Sequence, residues 1–422
     1  MAAVRLRLLA LSWTMPPLVF PRSLQISRVL RALKDRGCET TVVTIEPDAE
    51  PQATLDPVLE DFYKGAYRCL FVELREEVLP SPFWLRALRR IRQPADVRTD
   101  NWIRRAGKRL RMELAGGTYD ALITFAQPWI DHTVGLTIKR KYPDLPWVAH
   151  FSDPWVDSAY RHFASDEERT AAMQQERAVI GQADAVVFIN EHTADLVMAK
   201  YPSVWREKVH IIPHGYETDL LSQLPAPLSR VSAMRVVHTG NFYGHRNPDL
   251  VLRAAKALSD RLGPDARLEF IFVGNASEAL RQTATDIGVD DIVTFTGTKS
   301  YLESLQIARS ADLLLVIDAP ADTSVFLPSK IVDYLMLERP ILGVTPQRGA
   351  SAEVLHKVGC PVVDPEDYEG ILEALIKAFD NWQAGQPAAA VPLREAAMKF
   401  NIDHVAGQFE TAIQSSRRTG GR

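Results

Sequence analysis

Val237-His238-Thr239-Gly240-Asn241-Phe242-Tyr243-Gly244-His245-Arg246-Asn247-Pro248 reads as the end of a strand, a glycine-containing loop and the start of a helix. Upstream, Arg235 to Thr239 reads as a strand through Val236 and Val237; downstream, Pro248 opens a helical pattern. Further units follow: a strand over Leu268–Val273, a helix near Glu278–Ile287 and a strand over Ile292–Phe295. Then come a strand over Asp312–Ile317, a helix over Ser329–Leu337, a strand over Pro340–Val344 and a helix from Tyr368 to Phe379. Strands that alternate with helices predict a parallel sheet covered on both faces.

The same grammar precedes that segment. Residues 4–11 are apolar and strand-like, and a loop with Pro16, Pro17 and Pro21 follows. Ile26, Val29, Leu30 and Leu33 then recur at helical spacing until Gly37, and Thr41–Ile45 forms another strand. Alternation resumes with Ala121–Phe125, a helix over Ile130–Lys141, Trp147–Phe151, a helix around Glu167–Ile180, Ala185–Ile189 and Val209–Ile212. Between the two series the pattern weakens into Pro-His-Gly and Leu-Pro-Ala-Pro-Leu-Ser, which is turn and linker chemistry.

The expected class is therefore α/β, with two Rossmann-like domains facing across a cleft. Residues 1–212 form the first domain, 213–234 a hinge or linker, 235–385 the second domain, and 386–422 a C-terminal helix and tail that returns to the first. Sheets of this kind bind ligands beyond the carboxyl ends of their strands.

Composition removes several function classes. The chain of 422 residues carries a net charge of -4, which leaves no global positive field for nucleic acid. Cys38, Cys69 and Cys360 are far apart and form neither a disulfide framework nor a zinc motif. A reducing, cytoplasmic setting is expected. Arg5 and Arg7 precede an apolar run shorter than the core of a signal peptide, so that run reads as the first strand. No G-x-G-x-x-G fingerprint, Walker loop, G-x-S-x-G elbow or metal-ligand cluster appears.

Four segments carry candidate chemistry. In the Gly240 loop, glycine lets the backbone approach an anion, the helix start presents N–H groups, and Arg246 adds a phosphate contact; the alternative is an ordinary turn. In Pro328-Ser329-Lys330-Ile331-Val332-Asp333, Lys330 falls in the first turn of a helix, where a cation is unfavourable unless an anion is near. Asp333 lies on the same face, placed to accept ribose hydroxyls; the alternative is a surface Lys-Asp pair. In His150-Phe151-Ser152-Asp153-Pro154-Trp155, Asp153 ends a strand and faces an acceptor, or only caps a turn. His132 begins a helix after a strand and is either catalytic or structural.

Between Trp84 and Met112, Arg86, Arg89, Arg90, Arg92, Arg98, Arg104, Arg105, Lys108, Arg109 and Arg111 outnumber Asp96 and Asp100. Trp84, Leu85, Leu88, Ile91, Trp102 and Ile103 interleave with them. Such an amphipathic surface suits peripheral contact with anionic lipid, with Arg104, Arg105, Lys108 and Arg109 as the membrane side, or is simply a solvated basic face.

Taken together, the proline loop after the first strand, Asp153-Pro154-Trp155, Ile211 to Glu217, Gly240 to Pro248, Phe270 to Gly274, Phe295-Thr296-Gly297 and Pro328 to Gly343 resemble a glycosyltransferase of the GT-B architecture. The resemblance is to the broad family 4 (group 1), in particular its bacterial cell-surface polysaccharide type. It implies that the C-terminal half binds a nucleotide-diphosphate sugar as donor substrate and the N-terminal half a glycan or lipid-linked acceptor. Transfer is expected with retention, in polysaccharide biosynthesis, with no other cofactor and no metal.

By that resemblance Gly240, Asn241, Arg246, Gly274, Ser329, Lys330 and Asp333 serve the donor. Asp153 and His132 line the acceptor side, and Pro17 and Arg22 form an acceptor or phosphate loop. Asp333 stands at the second glutamate of the family's E-x7-E motif and Val325 at the first, while Asn241 stands where the family has arginine. A sugar-nucleotide 2-epimerase of the same fold, or a non-catalytic scaffold, are the alternatives.

Overall fold

The structure is a computed structural model, and it describes residues 6–51, 53–74, 94–226, 228–229, 232–263 and 267–419. The chain divides into two compact units. The first runs to Pro213 and takes the chain back from Val405; the second is His214–His404.

In the first unit β1 (Arg7–Leu11), β2 (Glu39–Ile45), β3 (Arg68–Val72), β4 (Ala121–Ala126), β5 (Trp147–Phe151), β6 (Ala185–Phe188) and β7 (Val209–Ile211) form one sheet in the order β3-β2-β1-β4-β5-β6-β7. Every pairing is parallel. The near-continuous apolar runs of β1, β4 and β5 are buried on both faces, as a parallel strand under two helical layers must be. The strand order reverses between β1 and β4, so the loops after those strands meet at the switch point where such sheets hold ligands.

The helix Pro21–Asp35 starts with proline at its first position, where the missing N–H costs nothing. It stops where Gly37 takes a φ of 92° and Cys38 N–H returns to the Leu33 carbonyl. The long helix Pro94–Gly116 buries Trp102, Ala106 and Leu110 in the core of this unit. The C-terminal helix Ile402–Thr419 packs into the unit through Phe409, whose ring stacks on His150 at 5.5 Å. Its outer edge is tied by Arg36 to Glu410 and by Arg417 to Asp120.

The second unit holds β8 (Met234–Thr239), β9 (Leu268–Val273), β10 (Val293–Phe295), β11 (Leu313–Ile317), β12 (Ile341–Val344) and β13 (Val362–Val363), ordered β10-β9-β8-β11-β12-β13 and again all parallel. The reversal here lies between β8 and β11. The helix Lys330–Leu337 follows β11, and its buried face includes Asp333 and Tyr334. Strand β3, the helices Pro57–Phe62, Tyr301–Arg309 and Ala350–Lys357, and the two-residue β13 were not expected from the sequence. Their short or weakly alternating runs lack the periodicity that marked the others.

Candidate functional site

In the second unit the loops that leave β8, β9 and β11 carry the polar groups. Gly240 has a φ of 110°, open to glycine, and a Cβ there would lie 2.9 Å from Nζ of Lys330. The Lys330 ammonium therefore rests directly on the Gly240 backbone. Gly274, with a φ of 137°, is pressed as closely: a Cβ there would meet the Gly240 carbonyl and Asn241 Oδ1 at 2.8 Å. Asn241 Oδ1 accepts from the Asn275 N–H at 2.8 Å, so Asn241 clasps the β8 and β9 loops together.

Lys330 Nζ donates to Nε2 of His238 at 3.0 Å. Burial, then the neighbouring Arg246, pushes the Lys330 amine down to about 7, and Asp318 opposes that shift. Arg246 donates from Nη2 to Asp318 Oδ1 at 2.8 Å and lies over the Tyr243 ring. Ser351 donates to the other Asp318 oxygen at 2.7 Å. Asp333 Oδ1 accepts from the Tyr301 hydroxyl at 2.7 Å. The Tyr334 hydroxyl accepts from the Thr239 N–H at 2.9 Å and fixes the helix Lys330–Leu337 to the end of β8. Ser329 has helical dihedrals and makes no capping bond with its side chain.

In the first unit a second polar cluster sits at the carboxyl ends of β1, β4 and β5. Asp131 is fully buried, accepts from the Trp13 N–H at 2.8 Å and from Trp102 Nε1 at 2.7 Å, and is pushed up to about 7 by burial. His132 is also fully buried, with Nδ1 2.7 Å from the Thr124 hydroxyl, which accepts from Trp147 Nε1. Burial and then Arg22 push its ring down to about 3, so it stays neutral near pH 7. Asp153 accepts from Gln127 Nε2 and the Ser152 hydroxyl, and burial raises its carboxyl.

Arg22, in the first turn of its helix, approaches His150 Nδ1 at 3.4 Å. Its Nε and Nη1 are buried with no hydrogen-bond partner. Burial pushes the Arg22 guanidinium down to about 10, while Asp153 and Asp131 oppose that shift. Pro17 is buried, and its carbonyl accepts from the Asp56 N–H.

The structure thus gathers Gly240, Asn241, Arg246, Gly274, Lys330 and Asp333 in the second unit, and Arg22, His132 and Asp153 in the first. Sequence reasoning missed His238, Asp318 and Tyr301 in the second unit, and Asp131 and His150 in the first. His238, Asp318 and His150 share a signal that was available: a polar side chain at the carboxyl end of a buried strand.

One expectation is corrected. Trp102 was placed on an amphipathic outer surface, but it is fully buried and donates to Asp131. The apolar stripe of Pro94–Gly116 covers the core, because a helix against a sheet must bury that stripe there. Arg104 and Lys108 remain exposed on the other side; Arg105 donates to the Glu73 carbonyl and Arg109 lies 3.8 Å from Glu113. Arg86, Arg89, Arg90 and Arg92, with Trp84, Leu85, Leu88 and Ile91, lie outside the described residues. Among the described residues no group of three or more acidic, His or Cys side chains is placed to hold a metal, and no helix is long and apolar enough to cross a membrane.

Residues 23–215 match the model of the glycosyl transferase 4-like domain, and residues 233–381 that of the glycosyl transferases group 1. No curated protein matches the sequence. Among solved structures, a glycosyltransferase from Rickettsia africae ESF-5 is similar, with 11% identity, 98% of this chain and 99% of that chain covered, and a TM-score of 0.65. An E. coli trehalose-6-phosphate protein bound with UDP-2-fluoro glucose shows 14% identity, coverage of 97% and 99%, and a TM-score of 0.65. A Listeria monocytogenes protein assigned as a UDP-N-acetylglucosamine 2-epimerase shows 12% identity, coverage of 98% and 96%, and a TM-score of 0.58. At these identities the likeness is one of fold, and the two domain matches, one on each Rossmann-like unit, carry the assignment: the chain belongs to the group 1, family 4-like glycosyltransferases.

Proposed function

We propose that the protein transfers a sugar from a nucleotide diphosphate to a hydroxyl of a glycan or lipid-linked acceptor, with retention, in cell-surface polysaccharide synthesis. The observation that carries the donor half is the Lys330 ammonium resting on Gly240 in a positive-φ loop. A partly buried cation beside open backbone is a receptor for a compact polyanion, which a diphosphate is. Asp333 is positioned by Tyr301 to accept from ribose hydroxyls. As the bond from the sugar C1 to the diphosphate oxygen breaks, the diphosphate keeps the electron pair. Lys330 and the loop amides stabilise that developing charge without reorganising.

In this proposal the acceptor belongs to the first unit. Arg22, with two buried guanidinium nitrogens unpaired, and Asp153, held by Gln127 and Ser152, orient it. His132, neutral and packed 4.4 Å from Phe151, is a rigid hydrogen-bonding wall of that site. The exposed Arg104 and Lys108 suit an anionic lipid surface near a lipid-linked acceptor.

Calorimetry of UDP, GDP, ADP, CMP and dTDP against wild type and Lys330→Ala tests the donor half. Selective binding of one diphosphate, lost in the variant, supports it; no binding to any refutes it. The epimerase reading has the fold likeness behind it, and interconversion of a UDP-sugar without any acceptor would favour it.

A further inference from the structure

His238 is the penultimate residue of β8 and is 1% exposed. Its Nδ1 lies 3.0 Å from the Leu315 carbonyl oxygen in β11. A carbonyl only accepts, so Nδ1 carries the ring proton. On the other side Nε2 lies 3.0 Å from Lys330 Nζ. An ammonium only donates, so Nε2 is bare. Two neighbours on separate elements thus fix one tautomer of one neutral ring. The ring plane is fixed as well, stacked on Phe242 at 4.9 Å and tilted against Phe272 at 6.2 Å.

The charged and titratable groups around this pair are few. Lys330 faces His238 from the first turn of the helix Lys330–Leu337, Arg246 from the loop after β8, and Asp318 from the end of β11. Tyr334, one turn along from Lys330, is engaged with Thr239. Asp318 is already occupied by Arg246 and Ser351. His238 Nε2 therefore supplies Lys330 with a neutral acceptor, while the Asp318 carboxylate offsets the repulsion between Lys330 and Arg246.

We propose that His238 is a positioning residue for Lys330: by accepting the ammonium's hydrogen bond at Nε2 it holds the cation on Gly240, where an incoming diphosphate meets it. The proposal rests on the donor assignment of Lys330 made above. The ammonium and Nε2 cannot both bear a proton along the 3.0 Å line between them, because two donors would then face each other with no acceptor. Protonation of the ring at Nε2 thus requires Lys330 to lose its charge or move away. Burial and the Lys330 charge hold the ring well below the usual histidine range, which keeps Nε2 available.

The test compares wild type with His238→Phe, which keeps the ring contacts and removes both nitrogens, and His238→Gln, whose side-chain carbonyl still accepts. Calorimetry with the nucleoside diphosphate panel from pH 6 to 9 should show affinity lowered about tenfold in His238→Phe, partly restored in His238→Gln, with the pH midpoint of binding displaced in His238→Phe. Lower thermal stability with affinity and midpoint unchanged would overturn the proposal, since a purely structural ring does only that.

Ring nitrogen NMR of wild type gives a readout without ligand. A protonated Nδ1 with a bare Nε2 from pH 5 to 8, and an Nε2 signal that moves in Lys330→Met, support the pair. An Nε2-protonated ring, or a signal indifferent to Lys330→Met, overturns it even if both His238 variants fail to fold. Should wild type bind no diphosphate, the donor assignment fails on its own and the NMR result decides the pairing separately.

Discussion

Arg246 Nη2 donates to Asp318 Oδ1 at 2.8 Å, with the two side chains only 6% and 2% exposed. A buried pair is weak evidence of net stabilisation, but removing one partner strands the other charge in a medium that cannot solvate it. Arg246→Ala and Asp318→Ala should therefore each lower stability by about 3 to 5 kcal/mol in denaturant unfolding. The apolar double variant Arg246→Met with Asp318→Leu should recover much of that loss. Stability unchanged in the single variants would show that the pair is solvated in solution.

Lys330→Ala and Asp333→Ala should each weaken nucleoside diphosphate binding by about 1.5 to 3 kcal/mol, the scale of a hydrogen bond to a charged group. Gly240→Ala should do at least as much, since its φ of 110° strains any Cβ and that Cβ would displace the Lys330 ammonium from the loop. Unchanged affinity in folded variants would move the donor site elsewhere.

Lys330 also sets a pH dependence. With its amine pushed down to about 7, the free protein holds that proton only part of the time at neutral pH. A bound diphosphate favours the charged form, so binding takes up a proton above pH 7 and affinity falls as pH rises through about 7. Binding heats measured in buffers of different ionisation enthalpy should reveal the uptake at pH 8, and Lys330→Met should abolish it.

Asp131 predicts a trend in stability. Its carboxyl is raised to about 7 from 3.8, so between about pH 4 and 7 the folded chain holds a proton that the unfolded chain has released. This residue's contribution to stability is greatest at the acidic end of that window and declines as pH rises towards 7. Asp131→Asn should flatten the trend. It should also cost about 1 to 3 kcal/mol at pH 5, because the amide NH2 cannot accept and leaves either the Trp13 N–H or the Trp102 Nε1–H without its acceptor. Unfolding curves across pH for the two proteins check both statements.

Flotation with anionic vesicles tests the basic helix. Neutralising Arg104 and Lys108, both exposed, should release the protein from such vesicles and more so at low salt. Absence of wild-type binding would end the lipid reading. Neutralising Arg109 should instead show in stability, since it lies beside Glu113.

The amino-acid chain alone spells out the two series of parallel strands. Buried parallel strands are written as apolar runs, and helices against them as apolar residues at helical spacing; Trp147–Phe151, Leu268–Val273 and Ile130–Lys141 are bounded by the structure where the pattern bounds them. It also marked the loop glycines and the out-of-place cation Lys330, because a rule broken locally is visible locally. Partners were another matter. That Lys330 meets His238, Arg246 meets Asp318 and Trp102 turns inward to Asp131 depends on which strands lie side by side and which helix face is covered. Those pairings join residues separated by 92, 72 and 29 positions, and only the folded sheet brings their side chains within hydrogen-bond reach.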